Sequence, residues 1–303
     1  MSEYTFTFQP KGPFDLRFQN QFFNGWPTLA TDEETIVMAF PVEGWQTSAA
    51  VTLRQADDGM LYGCVYGVQE KQQALAAQAQ ALAAMSLDVD GSRWLEVGKQ
   101  DPHIGELQTY YHGMRPTLFH SPYEAACAFV IGHRIHIAQT RKLRAKMAEQ
   151  YGKKIMVEGE AFFAFPEPEN LLKLEEFPGI ALAKIPHLHA IARAALDGWL
   201  QRAALRTIEP EAALEKLQTL PGVGPFFAQG ILYRGVGVSD GITSDDISQY
   251  AVRRRYGLPE SSSFDEILKV AEAWRPYRMW ALVLMHVWQR EHNDLPKKKF
   301  SRS

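Results

Sequence analysis

LQTLPGVGPFFAQG, residues 217–230, breaks a helical pattern with Pro221-Gly222-Val223-Gly224-Pro225 and resumes it at once. Leu217 and Leu220 end an amphipathic segment that begins near Glu211. Pro221 terminates it, because proline has no amide hydrogen and clashes with the preceding turn. Gly222 and Gly224 permit left-handed backbone and close approach by another molecule. Pro225 suits the first position of a new helix, where no amide hydrogen is needed. Two helices joined by a tight hairpin are expected, with the loop amides and the second helix N-terminus facing an anion such as a phosphate. Taken alone, the string also suits an ordinary helix connection with a glycine cap. A near-copy, Phe177-Pro178-Gly179-Ile180-Ala181, lacks the second glycine and reads as a structural turn without a phosphate role.

Outward from the hairpin, the chain reads in two parts. YTFTFQP, ETIVMAFPVE, SAAVTLRQ and MLYGCVYGV alternate or run apolar, with β-branched and aromatic residues, and predict strands. QEKQQALAAQAQALAAMSL is a strong helix former, expected to pack on that sheet. Residues 1–97 therefore predict a small α+β domain. From about residue 98 strand signals vanish. SPYEAACAFVIGHRIHIAQTRKLRAKMAEQYG reads as one helix from a Ser-Pro start to Gly152. Further helical segments follow, so residues 98–303 predict an all-helical domain. The basic tail LPKKKFSRS is expected to fray.

Composition narrows the classes. With 303 residues, 46% hydrophobic and 22% charged, the chain can bury a core. Cys64 and Cys127 stand far apart, which excludes a disulfide framework and a cysteine-held iron–sulfur cluster and fits a reducing compartment. The N-terminus has no signal-peptide pattern and no apolar run spans a bilayer, so no membrane is expected. The net charge of −3 does not by itself suggest nucleic acid, so that reading must rest on local features. His133 and His136, and His187 and His189, lack the matched ligands of a zinc site, so no metal is expected.

After the hairpin come a glycine loop, Gly235 to Gly241, and ITSDDISQYAVRRRYG, a new helix with Thr243, Ser244 or Asp245 as its cap. Hairpin, helix, glycine loop and an aspartate at a helix start, followed by WRPYRMWALVLMHVW, resemble the 3-methyladenine DNA glycosylase II (AlkA-type) family of the helix-hairpin-helix superfamily. The resemblance extends to RPTLFHSPYEAACAFVIGHRIHIAQTRKLRAKMAEQYG and SLDVDG, and so covers most of the chain. It implies a TBP-like α+β N-terminal domain followed by an all-α glycosylase domain. It also implies a monofunctional, monomeric base-excision-repair enzyme that acts on double-stranded DNA containing damaged bases, is cytoplasmic and nucleoid-associated, and needs no cofactor. A monovalent cation at the hairpin carbonyls is left open.

The resemblance maps the family's catalytic carboxylate onto Asp246, with Asp245 as a cap. A carboxylate near the sugar stabilises the positive charge that develops as a glycosidic bond breaks. The Schiff-base lysine of bifunctional relatives maps onto Phe226, which has no amine. Leu220, Gly222, Val223 and Gly224 map onto the DNA-binding hairpin, and Arg134, with His133, onto the residue that wedges into the stack left by a flipped base. The substrate-pocket positions are Phe226, Gly230, Ile247 and His286, with Trp280 near them and Arg278 supporting the region. Gly230 and Ile247 in place of rings suggest a roomy pocket with few π-faces, and His286 a hydrogen bond to the base edge. Arg141, Lys142, Arg144 and Lys146, and the run Arg253-Arg254-Arg255 with Arg275, offer phosphate contacts or solvated faces. The expected substrates are 3-methyladenine and 7-methylguanine, with ethenoadenine or 1-methyladenine admitted by the extra room. A non-catalytic binder of distorted duplex is the alternative, and Asp246 discriminates, since a binder needs no carboxylate there.

Overall fold

The computed structural model describes residues 3–21, 29–30 and 35–296. The basic tail beyond Pro296 lies outside them. The N-terminal part contains β1 (Tyr4–Phe8), α1 (Leu16–Gln21), β2 (Leu29–Ala30), β3 (Thr35–Pro41), β4 (Ser48–Gln55), β5 (Leu61–Tyr66) and α2 (Lys71–Ala84). The strands form one antiparallel sheet in the order β1-β5-β4-β3-β2. The alternation of the sequence sets its faces: in β1, Tyr4, Phe6 and Phe8 turn inward while Thr5 and Thr7 stay exposed. Helix α2 packs on β4 and β5 through Ala74, Ala77, Ala81 and Ala84, whose small side chains let the helix lie close to the strands.

Beyond this come α3 (Trp94–Gln100), α4 (Pro102–Tyr110), α5 (Pro122–Gly132) and α6 (Ile137–Tyr151). The single helix expected from Ser121 to Gly152 is thus two, separated by a turn at His133 and Arg134. Strands do not vanish after residue 98 either. β6 (Lys154–Val157) and β7 (Glu160–Phe163) form a hairpin whose Ile155, Val157 and Phe162 cover Val37, Ala50, Cys64 and Tyr66 on the sheet. Its tight turn places Glu158 and Gly159 at φ 50° and 92°, the geometry that suits a two-residue hairpin loop.

The remaining elements are α7 (Pro168–Leu171), α8 (Ile185–Leu196), α9 (Arg202–Arg206), α10 (Pro210–Leu217), α11 (Pro225–Ile231), α12 (Asp246–Tyr256), α13 (Phe264–Ala271) and α14 (Arg278–Glu291). The apolar α5 is buried almost throughout and packs against α6, α8 and α11. Trp45 and Trp94 belong to this helical core, and Trp45 Nε1 donates to Ala195 O at 2.8 Å, so sheet and helices are one packed body. Arg144 is not a surface cation. It lies buried against Glu124, which also meets His120 Nδ1 at 2.8 Å. Burial would raise the Glu124 carboxyl, but His120 and Arg144 hold it below its ordinary value.

Arg115 ties the N-terminal segment to the helices. It is fully buried, donates to the carbonyls of Lys11, Pro13, Ser86 and Val89, and lies 4.9 Å over the Trp280 ring. Removing it would leave several buried carbonyls without a donor. Arg115→Ala is therefore expected to lower unfolding stability by about 3 kcal/mol or more. Urea unfolding checks this, with Arg115→Lys expected to recover only part, since one ammonium cannot reach all four carbonyls.

Candidate active site and nucleic-acid interface

The hairpin between α10 and α11 is built from two apolar anchors and one left-handed residue. Leu220 and Val223 are each only 5% exposed and belong to the core, so their contribution is anchorage rather than surface contact. Gly222 has φ 81°, and a Cβ there would come within 2.6 Å of His187 Nδ1. The two glycines serve different ends. Gly224 has ordinary extended backbone at φ −87°, ψ −177°, and nothing lies within 4 Å of the position its Cβ would take. It is the N-cap of α11, with Pro225 at the first helical position as its sequence suggests. An unobstructed glycine before a helix N-terminus suits backbone approach by an anion.

Helix α11 continues into a π-helical turn, Leu232–Val236, and ends on left-handed Gly237. The chain then returns to the start of α12. Gln229 Oε1 accepts from Ser244 N at 3.1 Å and from Ser244 Oγ at 3.2 Å, which ties the α12 start to α11. Asp245 is the cap: its Oδ1 accepts from Ile247 N and Ser248 N, each at 3.0 Å. Its Oδ2 accepts from Ser248 Oγ at 2.6 Å. Burial works against its charge, but the bonds from Ser248 and Thr243, with His286 nearby, hold its carboxyl below the ordinary value. Asp246 is the first residue of the helix and is exposed. Among the described residues no hydrogen bond or ion pair to its carboxylate is found.

A cavity of about 740 Å³ lies between the hairpin, α11 and the turn after α5. Its walls include Phe119, Phe129, Phe226, Phe227, His133 and Arg234. The rings touch one another: Phe129 lies 5.3 Å from Phe227 and 6.5 Å, edge-on, from Phe226, and His133 meets Phe227 edge-on at 5.7 Å. This cavity is rich in aromatic faces, and of the expected substrate-pocket positions it takes in Phe226, while Gly230, Ile247 and His286 do not line it. Gly230 does not leave empty room, because a Cβ there would sit 2.3 Å from the Phe129 ring. The ring missing from α11 is supplied by α5. Phe129, Phe119 and Phe227 line this cavity and are not among the residues expected from the sequence. Only the spacing of Phe129, three residues before Gly132 in the quoted motif, hinted at it.

The other expected residues separate. Phe226 lines the cavity and is 53% exposed, and Ile247, 49% exposed, stands beside Asp246. His133 and Arg134 both line the cavity mouth. His286 does not line it: its Nε2 lies 3.3 Å from Ser248 Oγ, behind the Asp245 cap. Burial pushes its imidazole below the ordinary value, against the opposing pull of Asp245. Trp280 is core, 1% exposed and packed against Trp94 and Tyr277. Arg278 holds Asp240 of the glycine loop at 2.7 Å. Nor is the Arg253–Arg255 run a free cationic face: Arg253 donates to Ser262 O, Arg254 pairs with Asp294, and Arg255 pairs with Glu106. Arg275 pairs with Asp240 and Glu272.

No family model matches the chain. It is 28% identical over 193 residues to DNA-3-methyladenine glycosylase 2 of Escherichia coli strain K12, covering 62% of this chain and 64% of that protein. It is 24% identical over 200 residues to DNA-3-methyladenine glycosylase of Bacillus subtilis strain 168, covering 64% and 66%. The match thus spans just under two thirds of either relative. The N-glycosylase/DNA lyase OGG1 of Arabidopsis thaliana is 29% identical over 270 residues, covering 82% and 70%. Among solved structures, 3-methyladenine DNA-glycosylase from Archaeoglobus fulgidus superposes with TM-score 0.77 at 20% identity, covering 94% of this chain and 98% of that one. MBOgg1 in complex with a low-affinity DNA ligand gives 0.74 at 16%, covering 97% of each.

The fold is that of these two solved structures. In sequence the chain is similar to the DNA-3-methyladenine glycosylases of these two bacteria. The two hairpin glycines now make separable predictions. Gly222→Ala, forced to positive φ against His187, is expected to lose about 1–2 kcal/mol of stability. Gly224→Ala, in open space at ordinary φ, is expected to change stability by less than about 0.5 kcal/mol. Urea midpoints of the two variants measured side by side decide between them.

Proposed function

We propose that the chain is a monofunctional DNA glycosylase that flips an alkylated purine out of duplex DNA, hydrolyses its glycosidic bond and leaves an abasic site. The observation that carries this reading is the uncommitted, exposed carboxylate of Asp246, held at the start of α12 by the Ser244–Gln229 contact with α11, the helix that bears Phe226. Breaking the glycosidic bond leaves positive charge on the deoxyribose, and a fixed carboxylate stabilises it and orients the attacking water. The hairpin amides at Gly222–Gly224 take a backbone phosphate, and Arg134, with His133, fills the gap in the base stack.

The lyase function in the name of the Arabidopsis relative does not carry over easily. Phe226 stands where a Schiff-base amine is required, so no covalent route is available at that position. Rings of Phe129, Phe226 and Phe227 favour an electron-poor base such as 3-methyladenine or 7-methylguanine, already a good leaving group. The cavity volume supports bulkier adducts such as ethenoadenine or 1-methyladenine as well.

Single-turnover excision on duplexes with one defined lesion each, 8-oxoguanine included, is the direct test. Asp246→Asn is expected to remove nearly all excision while DNA binding stays within a few-fold. Retained activity in Asp246→Asn would shift the chemistry to Asp245, whose own Ala variant is otherwise expected to cost about 1 kcal/mol through the lost cap. Phe129→Ala is expected to slow 3-methyladenine excision by roughly 5- to 100-fold, the worth of about 1–3 kcal/mol of base stacking. Equal rates for Phe129→Ala and the parent would remove Phe129 from the pocket.

A further inference from the structure

We infer that Lys184 is a positioning residue that sets the direction of Arg134 by holding one peptide plane, an inference that rests on the reading of Arg134 as the residue entering the base stack. Gly132, His133, Arg134 and Ile135 form a tight turn closed by Ile135 N donating to Gly132 O at 3.0 Å. His133 has φ −56°, ψ 119°, and Arg134 has φ 58°. These are the dihedrals of a type II turn, whose third residue sits at positive φ and is ordinarily glycine or asparagine. Arginine there is strained, and such a conformation persists only where its surroundings enforce it.

A type II turn differs from an unstrained type I turn by a flip of its central peptide, here the one joining His133 to Arg134. Lys184 Nζ donates to the carbonyl oxygen of that peptide, His133 O, at 2.8 Å. It also donates to Ile131 O, near the end of α5, at 2.9 Å. The ammonium therefore grips the helix end and the turn peptide together. Flipping the peptide would break the first bond and let Arg134 relax to negative φ, swinging its side chain away from the cavity mouth that it now lines. The same charge offsets the negative end of α5, which points at the proposed DNA surface. Lys184 follows the Phe177–Ala181 turn, so that near-copy of the hairpin delivers this lysine.

A double-mutant cycle tests the coupling. In the parent background, Lys184→Met is expected to slow single-turnover excision at least 10-fold from a fully paired duplex. It is expected to act less than 3-fold on the same lesion opposite an abasic gap, where no stack has to be refilled. Lys184→Arg should restore most of the paired-duplex rate. In an Arg134→Gly background, where positive φ costs nothing and no side chain enters the stack, Lys184→Met should have no further effect. Equal loss on both substrates, or equal loss in both backgrounds, overturns the inference. A parent protein that excises no lesion overturns the functional reading instead. A crystal structure of Lys184→Met decides the matter without any activity: Arg134 at negative φ supports the inference, and Arg134 still at positive φ sinks it.

Discussion

The site hangs from a tight turn, Leu220 to Val223, within the connection between α10 and α11. Reversing two packed helices in so short a span needs apolar anchors on both sides of the turn and one residue free to adopt positive φ. Leu220 and Val223 are the anchors and Gly222 the left-handed residue. Because the anchors point into the core, the loop backbone between them has to face out. The polar groups of the reversal are thus left to solvent or to a phosphate, and no long basic side chain is required to attract one. On the proposed function, a chain of net charge −3, most of whose candidate arginines are committed to internal pairs, would thus meet a phosphate through backbone amides.

The paired aspartates divide two tasks that one carboxylate cannot perform together. A helix start leaves amide hydrogens without partners, and a side chain that accepts from them is locked in place. Asp245 does this, reinforced by Ser248, with His286 behind. Once the cap is filled, the next carboxylate feels the same positive helix end without being consumed by it. Asp246 is left exposed, with no hydrogen bond or ion pair to its carboxylate among the described residues. Arg278, holding Asp240 of the preceding loop, fixes the approach to this start from the far side.

Much of this was legible. The strands β3, β4 and β5 and the helix α2 follow from period and composition, and the hairpin from proline and glycine placement. What was not legible has identifiable causes. The β6–β7 hairpin has four-residue strands whose hydrophobic pattern is too short to separate from its helical surroundings. The break between α5 and α6 is invisible because apolar helical spacing runs across it, and the turn is imposed from outside the segment on residues with no turn preference. The resemblance maps His286 onto the pocket with Trp280 near it, yet on α14 His286 meets Ser248 behind a cap and Trp280 packs in the core. Phe129 was missed because its role depends on a contact between two helices, and single-chain spacing carries no record of such contacts.

That contact links recognition to insertion. Gly230 and the Phe129 ring share one volume: a side chain on α11 at that point would displace the ring from α5. Phe129 lies one helical turn before the end of α5, and the helix runs directly into the turn that carries His133 and Arg134. Helix interiors are close-packed and move as units. On the proposed function, a base pressing against Phe129 would bear on the same rigid element whose end carries Arg134, so that the gap left by the base would be filled from the helix that receives it.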